Sequence, residues 1–385
     1  FEVELPWITK DFYEYQREQT LAQQSLTKTP GTKKKTEFHM RCFSPSGLFD
    51  YNQCPEFKSL IRNHAGFKFG NTFRRFNPRI EWIISEVDES GDVVVNNKKE
   101  VTPFEVLKKV RFVPSNAVVI PGAKTYPAYV TSQKTAAGVM MLVGVVNINT
   151  FSPAGAEADV LKEFKATLEA FKNLGVKRVV IDTINNGGGS LSLGMNLAQS
   201  LNSRAIEFPS VEFRLSESWI DQFERGTIWG TNDTDKELKK RVYNALLADQ
   251  SSGKWLSRPF NASRLFAQAF TPNEKLKDHG FKYVLLVNEM CASMCDIFAG
   301  ILQDNKMAKV LGSQTLGAGG NVVMHAAAPN SGIYVSQTES LIKRTNGEYL
   351  ENNGVKPDLA LKVNESTSKR YDKVLKEAFI EVLKL

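Results

Sequence analysis

The sequence contains few cysteines and histidines and has no long apolar segment. Each of these two residue types occurs four times in 385 residues. No apolar run approaches the ~18 residues of a membrane-spanning helix, so we expect no membrane span. Four cysteines do not make a disulfide framework. Cys42 and Cys54 could pair in an oxidising compartment, whereas we expect Cys291 and Cys295 to pack as small apolar residues. Zinc would need two further ligands near the latter pair, so we predict no metal and no cofactor.

An initiator methionine and a signal peptide are also missing, because the chain begins at Phe1. We interpret it as a mature, processed or truncated form of a secreted or periplasmic protein whose signal peptide has been removed. The net charge is +7, and part of it lies in Lys33-Lys34-Lys35. Basic residues are not interleaved with aromatic ones, so we do not expect nucleic-acid binding.

Changes in composition along the chain predict its domain organisation. Residues 1–135 are typical of an irregular β-rich region, with an exposed basic linker near 27–36 for which a processing site is the functional alternative. An α/β core is predicted over 136–365. It is interrupted by a polar, aromatic-rich insertion near 205–275, and an amphipathic C-terminal helix follows at 366–385.

The core begins with alternating strand and helix patterns. Val139–Val146 and Val176–Asp182 have the composition of buried strands, and Ala156–Leu174 carries a helical apolar stripe. A glycine turn at 185–190 precedes a second helix, which begins near Leu191. This βαβα order predicts a mainly parallel sheet.

A serine lies at a strand-to-helix junction further along the core. Tyr283–Val287 predicts a buried strand, residues 288–292 a sharp turn, and Ser293–Leu302 a helix. Such a junction exposes a serine hydroxyl beside free backbone N–H groups, as a nucleophile and its oxyanion hole require. The alternative is that Ser293 is an ordinary helix N-cap.

Two glycine-rich turns, 187–189 and 317–320, follow predicted strands. Neither has the spacing of a phosphate-binding loop. Glycine lets backbone N–H groups approach a ligand closely, which suits an oxyanion site, and an ordinary tight turn is the alternative.

Four motifs in one order carry a resemblance to a known family. They are Val179-Val-Ile-Asp-Thr-Ile-Asn-Asn-Gly-Gly-Gly, Leu285-Leu-Val-Asn-Glu-Met-Cys-Ala-Ser-Met-Cys-Asp, Val310-Leu-Gly-Ser-Gln-Thr-Leu-Gly-Ala-Gly-Gly and Glu351-Asn-Asn-Gly-Val-Lys-Pro-Asp. Together, over about 139–365, they resemble the tail-specific, or C-terminal-processing, serine peptidases of the S41 family. The resemblance implies a ClpP/crotonase-like α/β fold.

The same resemblance implies roles for individual residues. Ser293 corresponds to the nucleophile, and the backbone N–H groups of Gly188, Gly189 and Met294 correspond to the oxyanion donors. Many relatives use a Ser/Lys dyad, but the lysine position is occupied here by Ala318, which cannot accept a proton.

The Gly317-Ala-Gly-Gly sequence, together with Glu351, is instead similar to the branch of chlamydial protease-like activity factors, which has a Ser–His–Glu triad. Glu351 then corresponds to the acid that orients the histidine, with a solvated loop glutamate as the alternative. Lys306 and Lys309 do not match the lysine motif, and we interpret them as surface charges.

None of the four motifs contains the histidine that would act as the base of this triad. The sequence offers His39, His64, His279 and His325. His64 is the best candidate, because an alternating strand pattern follows it. The alternative is a histidine upstream of Phe1, on a segment that would also hold a PDZ-like module.

The resulting hypothesis is a serine endopeptidase that hydrolyses protein or peptide substrates through an acyl-enzyme. Substrates are expected to bind as an added strand of the sheet. We also expect the protein to be secreted and to have a zymogen form. It could assemble as a homodimer. Two alternatives stay open. One is a non-catalytic ligand- or peptide-binding protein on the same fold, and the other is a crotonase-like acyl-CoA enzyme.

Overall fold

A computed structural model describes residues 107–108, 111–224, 233–266, 269–324, 336–361 and 368–385. Several predictions lie outside these ranges: the β-rich character of the chain before residue 107, the basic linker near 27–36, and the roles of His39, His64, His325, Cys42 and Cys54.

The described chain alternates strands and helices. The strands are β1 Val118–Val119, β2 Ala128–Lys134, β3 Met140–Asn147, β4 Arg178–Asp182, β5 Ser210–Phe213, β6 Phe260–Asn261, β7 Lys282–Val287, β8 Ala308–Gly312, β9 Val322–Met324, β10 Ser336–Thr338, β11 Ser340–Lys343 and β12 Leu359–Ala360. The α-helices are α1 Glu157–Asn173, α2 Leu191–Ser200, α3 Glu217–Glu224, α4 Asp233–Ser251, α5 Met294–Asp304 and α6 Ser368–Lys384. Two 3₁₀ turns occupy Ala262–Leu265 and Glu274–Leu276.

The centre of the fold is a seven-stranded sheet of order β1-β2-β3-β4-β7-β8-β12. Strands β3, β4, β7, β8 and β12 run parallel, and β1 and β2 are antiparallel additions at one edge. The predicted α/β fold with a mainly parallel sheet is therefore confirmed.

The structure differs from the prediction at the start of the core. The expected boundary between 135 and 136 falls inside the β2–β3 hairpin, which pairs continuously from Ala128↔Val146 to Lys134↔Met140. Strands β1 and β2 therefore belong to the central sheet. Short strands before a turn do not reveal their partner in the sequence, because cross-strand pairing is a tertiary property.

Both faces of the sheet are buried. Along β7, Leu285 and Val287 face the cluster that includes α1, α2 and α5, whereas Val284 and Leu286 face the cluster of the C-terminal helix. This alternation follows from the period of two in a strand. The predicted apolar stripe of α6 is buried against the second face: Tyr371, Val374, Leu375, Ala378, Phe379 and Val382.

The predicted insertion contains α3, α4 and a second sheet. Strand β5 pairs antiparallel with β6 and with β11, which follows the insertion in sequence. Buried Asp249 on α4 accepts two hydrogen bonds from the Arg258 guanidinium, each at 2.9 Å. The division of the chain into domains otherwise stays a prediction.

The sheet topology determines where a site can form. The loops after β4 and β7, two neighbouring parallel strands, leave the same edge of the sheet, where ligands bind in open α/β folds. Within the described ranges, no helix combines the length and the apolar content that crossing a membrane requires.

Candidate active site

Ser293 adopts a strained backbone conformation between β7 and α5. Its φ is 57° and its ψ −123°, although it carries a Cβ. Such conformations cost about 1–3 kcal/mol and persist only where the surrounding structure imposes them. A serine on a sharp, strained strand-to-helix turn is the arrangement of a nucleophile elbow. The predicted strand, turn and helix around this residue are confirmed.

A second serine in the same fold shows what an ordinary cap looks like. Ser190 precedes α2 with φ −64° and ψ 123°, and its hydroxyl accepts a hydrogen bond from the Leu193 N–H. Ser293 occupies the equivalent position before α5, but its side chain makes no capping hydrogen bond. The N-cap interpretation of Ser293 is therefore not supported, and its half-buried hydroxyl is left for another role.

The glycine turn after β4 packs directly on this serine. Gly188 has a φ of +101°, and a Cβ there would lie 2.6 Å from Ser293 Cβ and 2.9 Å from the Met294 nitrogen. Only glycine fits, because a side chain would be both strained and in collision. The structure thus brings together three of the predicted site residues.

The backbone N–H groups at this contact differ in what they bind. The Gly188 N–H donates to Asn186 Oδ1 at 2.8 Å. Among the described residues, no acceptor receives the N–H of Gly189 or of Met294. The roles of all three in an oxyanion hole stay a prediction, and two of them have a free donor.

A group of asparagines joins the β4 and β7 loops and had no predicted role. Asn185 and Asn288 exchange two hydrogen bonds, at 2.8 and 2.7 Å. The Asn186 side chain donates to the Ile148 carbonyl at 2.8 Å, and the Asn186 backbone carbonyl accepts the Ala292 N–H at 3.1 Å. The position of asparagines at the ends of neighbouring strands was the only sequence signal for this role.

The 317–320 turn lies beside the start of α5. The Ser293 N–H donates to the Ala318 carbonyl at 3.0 Å. In return, the N–H groups of Gly317 and Ala318 donate to Asp296 Oδ1 and Oδ2, at 2.9 and 3.0 Å. Burial raises the pKa of Asp296, and hydrogen bonds from Thr315 and from backbone N–H groups oppose the rise. The sequence analysis did not identify Asp296.

Glu351 lies at the other side of the same turn. Its Oε2 accepts the Ile342 N–H at 3.0 Å, and its Oε1 lies close over Gly320. Oε1 is shielded from solvent and has no hydrogen-bond donor among the described residues. Burial raises the pKa of this carboxyl, backbone N–H groups oppose the rise, and the charge of Asp296 adds to it. This carboxylate is therefore not a solvated loop glutamate.

The cysteines on either side of Ser293 form a disulfide, so the expectation that they pack as unpaired residues was wrong. Both are fully buried, as expected of small apolar side chains. The elbow brings the Cα atoms of Cys291 and Cys295 to 5.2 Å, within the about 4.4–6.8 Å that a disulfide requires. Sequence spacing did not show this, because the distance depends on the backbone of Ser293.

Comparison with known proteins identifies the family. The profile of Peptidase family S41 matches residues 142–361, more than half of the chain. The chain belongs to peptidase family S41. The resemblance drawn from the four motifs is confirmed.

Individual S41 relatives and solved structures agree with this assignment. A protein of Chlamydia trachomatis serovar D is 28% identical over 282 residues, which cover 65% of this chain and 46% of that protein. A probable CtpA-like serine protease of Staphylococcus epidermidis is 25% identical over 57% of this chain and 33% of its own length. The structure of mature CPAF complexed with lactacystin is 25% identical, with a TM-score of 0.58 over 71% of this chain and 58% of that one. This chain thus spans less than half the length of these two curated relatives.

The lysines near the S41 dyad position lie away from Ser293. Lys306 is the second residue after α5, which is 11 residues long, so the length of the helix, about 16 Å, separates it from the elbow. Lys309 on β8 forms an ion pair with Glu381 of α6 at 2.5 Å, on the opposite face of the sheet from α5. Lys309 is thus a partly exposed, paired charge, which agrees with the expectation of a surface charge, but it lies on a strand rather than on a helix or loop.

His279 lies at the wrong end of the sheet to serve as a base. Its Nε2 donates to the Val176 carbonyl at 2.7 Å, before β4 begins, and Lys177 Nζ lies 3.2 Å from its Nδ1. Strand β7 has six residues and separates this histidine from the elbow by about 20 Å. Burial lowers the pKa of His279. Within the described ranges, no group of three or more His, Cys, Asp or Glu side chains is placed to hold a metal ion.

Proposed function

We propose that this S41 chain is a serine endopeptidase that cleaves peptide bonds through an acyl-enzyme on Ser293. The single observation that carries the proposal is the strained elbow whose hydroxyl makes no capping bond. The buried Oε1 of Glu351 adds support. It is a shielded carboxylate oxygen without a hydrogen-bond donor among the described residues, so it can accept the N–H of a catalytic histidine.

The reaction follows from these groups. A histidine takes the Ser293 Oγ proton while Oγ attacks the substrate carbonyl, and Glu351 holds the imidazole in the correct tautomer. The N–H groups of Gly189 and Met294 stabilise the oxyanion, and Gly188 joins them if its N–H leaves Asn186 Oδ1.

The imidazolium then returns its proton to the leaving amine as the C–N bond breaks. Water, deprotonated by the same histidine, attacks the acyl-enzyme and releases the acid product together with the free serine. We assign the histidine role to His64. Its alternative is a histidine upstream of Phe1.

Substrate class and location are part of the proposal. Proteins or peptides would bind as an added strand, with main-chain hydrogen bonds to the fold. A buried disulfide beside the nucleophile supports a secreted or periplasmic location, because disulfides persist in oxidising compartments.

The test is labelling of the full chain with a fluorophosphonate, alongside turnover of a peptide library. Ser293→Ala should abolish both. Glu351→Gln should lower kcat by up to about 10⁴-fold, as loss of the orienting acid does in related triads. Ser190→Ala is the matched control, because it removes a genuine cap, costing about 1 kcal/mol of stability, and leaves labelling intact.

A second pair of variants tests the base. His64→Ala should abolish turnover, whereas His279→Ala should retain it. A folded, complete protein that neither reacts with the probe nor cleaves any peptide would contradict the proposal and favour the non-catalytic binding protein. If turnover survives in His64→Ala, the general base is a histidine other than His64.

A further inference from the structure

Asp296 is a fully buried carboxylate whose presence the reaction scheme does not explain. It is 0% exposed, and its contacts are hydrogen bonds from backbone N–H groups and from the Thr315 hydroxyl. Among the described residues, no cationic side chain contributes to its electrostatic environment. A buried carboxylate without a cation is costly, so its retention calls for a specific reason.

The hydrogen bonds around Asp296 form a closed clamp between α5 and the 317–320 turn. Two N–H groups of the turn, those of Gly317 and Ala318, donate to the carboxylate. One carbonyl of the turn, that of Ala318, accepts the Ser293 N–H. The residue that orients the turn is thus three positions from the serine that the turn holds.

The clamp explains how the strained elbow is maintained. A first-turn carboxylate often reaches back to the N–H of its own N-cap residue. Here that N–H donates to the Ala318 carbonyl in addition to its interaction with the carboxylate, and the carboxylate also accepts the N–H groups of the turn. The positive φ of Ser293 is therefore held by a bond whose acceptor Asp296 positions.

The same turn reaches Glu351. The Gly317 carbonyl accepts the Asn352 N–H at 2.9 Å, and Gly320 lies under Glu351 Oε1. A turn that moved would displace the nucleophile and the orienting acid together.

We propose that Asp296 is a positioning residue, which sets the geometry of Ser293 and Glu351 through the backbone of the 317–320 turn. The expected change in kcat and labelling rate rests on the proposed function. The expected change in hydrogen exchange does not. It assigns Asp296 no contact with substrate.

The test compares Asp296→Asn with Asp249→Asn in the full chain. The asparagine at 296 keeps the shape, but its NH₂ group cannot accept, so one of the two turn N–H groups loses its partner. Asp249 is a similarly buried carboxylate whose hydrogen bonds come from Arg258 and Lys254 rather than from the elbow or the 317–320 turn, and its variant should leave kcat unchanged.

Two measurements separate positioning from simple loss of fold. The first is hydrogen exchange at the Ser293 amide and at the Asn352 amide, which donates to the Gly317 carbonyl and does not bond Asp296. Both amides should lose protection by about tenfold or more in Asp296→Asn. The second is kinetic. The amplitude of fluorophosphonate labelling should stay constant, since it counts folded molecules. The labelling rate and kcat should fall about 10²-fold with KM nearly unchanged, as expected for a small misplacement of the reacting group.

The outcomes are distinct. A folded Asp296→Asn with parental Ser293 exchange and parental kcat overturns the inference. Should that variant not fold, Thr315→Val, which removes one donor to the carboxylate, must show the same two changes to a smaller extent. Parental behaviour of Thr315→Val would then overturn the inference. An inert parent protein would refute the proposed function alone, and the exchange measurement would still decide the clamp.

Discussion

Gly188→Ala is the sharpest perturbation of the nucleophile elbow. The new Cβ would lie 2.6 Å from the Ala292 carbonyl oxygen and 2.6 Å from Ser293 Cβ. To reach ordinary contact at 3.4 Å, those atoms must move apart by roughly 0.8 Å. The obstacles are backbone and a Cβ, neither of which can rotate away.

The magnitude has two parts. A non-glycine residue at a φ of +101° costs about 1–3 kcal/mol in backbone strain. Overpacking against a rigid neighbour adds about 1–3 kcal/mol. We therefore expect a loss of about 2–6 kcal/mol in the free energy of unfolding, and a fall in the Ser293 labelling rate of about 10²-fold from the displaced serine.

Gly155→Ala is the matched control. Gly155 has nearly the same φ, +105°, but a Cβ there would meet nothing within 4 Å. It should carry the strain alone, about 1–3 kcal/mol, and keep the parental labelling rate. Chemical denaturation gives the free energy of unfolding of each variant. Fluorophosphonate labelling quenched at a series of times gives the Ser293 labelling rates. If Gly188→Ala labels Ser293 as fast as Gly155→Ala does, glycine is not required against the serine, and our description of the elbow is wrong.

Two further predictions concern the neighbours of Ser293. Replacing Cys291 and Cys295 together by alanine should lower the free energy of unfolding by about 2 kcal/mol, as expected for so short a closed loop, and slow Ser293 labelling. Alkylation of the denatured, unreduced protein should detect no free thiol at either position, and finding both thiols free would contradict the assignment. The second prediction concerns pH. Burial raises the pKa of Asp296 above its usual 3.8, so the folded state favours the protonated carboxyl. Its contribution to stability is complete below that value and is lost as the pH rises through the folded pKa. The melting temperature of Asp296→Asn relative to the parent should therefore increase as the pH is raised from about 4 towards neutrality, and calorimetry showing a flat or falling difference would refute this.

Local patterns were sufficient for much of the fold. The 3.6-residue apolar period predicted α1 and α6, and short aliphatic runs predicted β3, β4 and β7, because these elements bury one stripe or both faces of a strand. The order of strand and helix predicted the parallel sheet. The pairing of β2 with β3 was missed, since a hairpin partner is chosen by the packing of the whole sheet.

At the site, the sequence by itself determined the elements and the residue types: a strand, a turn with a serine, a helix, and glycines after the neighbouring strand. It could not distinguish Ser190 from Ser293, since both precede a helix. The tertiary structure made them different. Gly188, more than a hundred positions earlier in the chain, packs against Ser293 Cβ, and the Ala318 carbonyl takes the Ser293 N–H. The burial of Glu351, the clamp of Asp296 and the approach of the two cysteines were decided in the same way, because a strained backbone persists only where distant parts of the chain hold it.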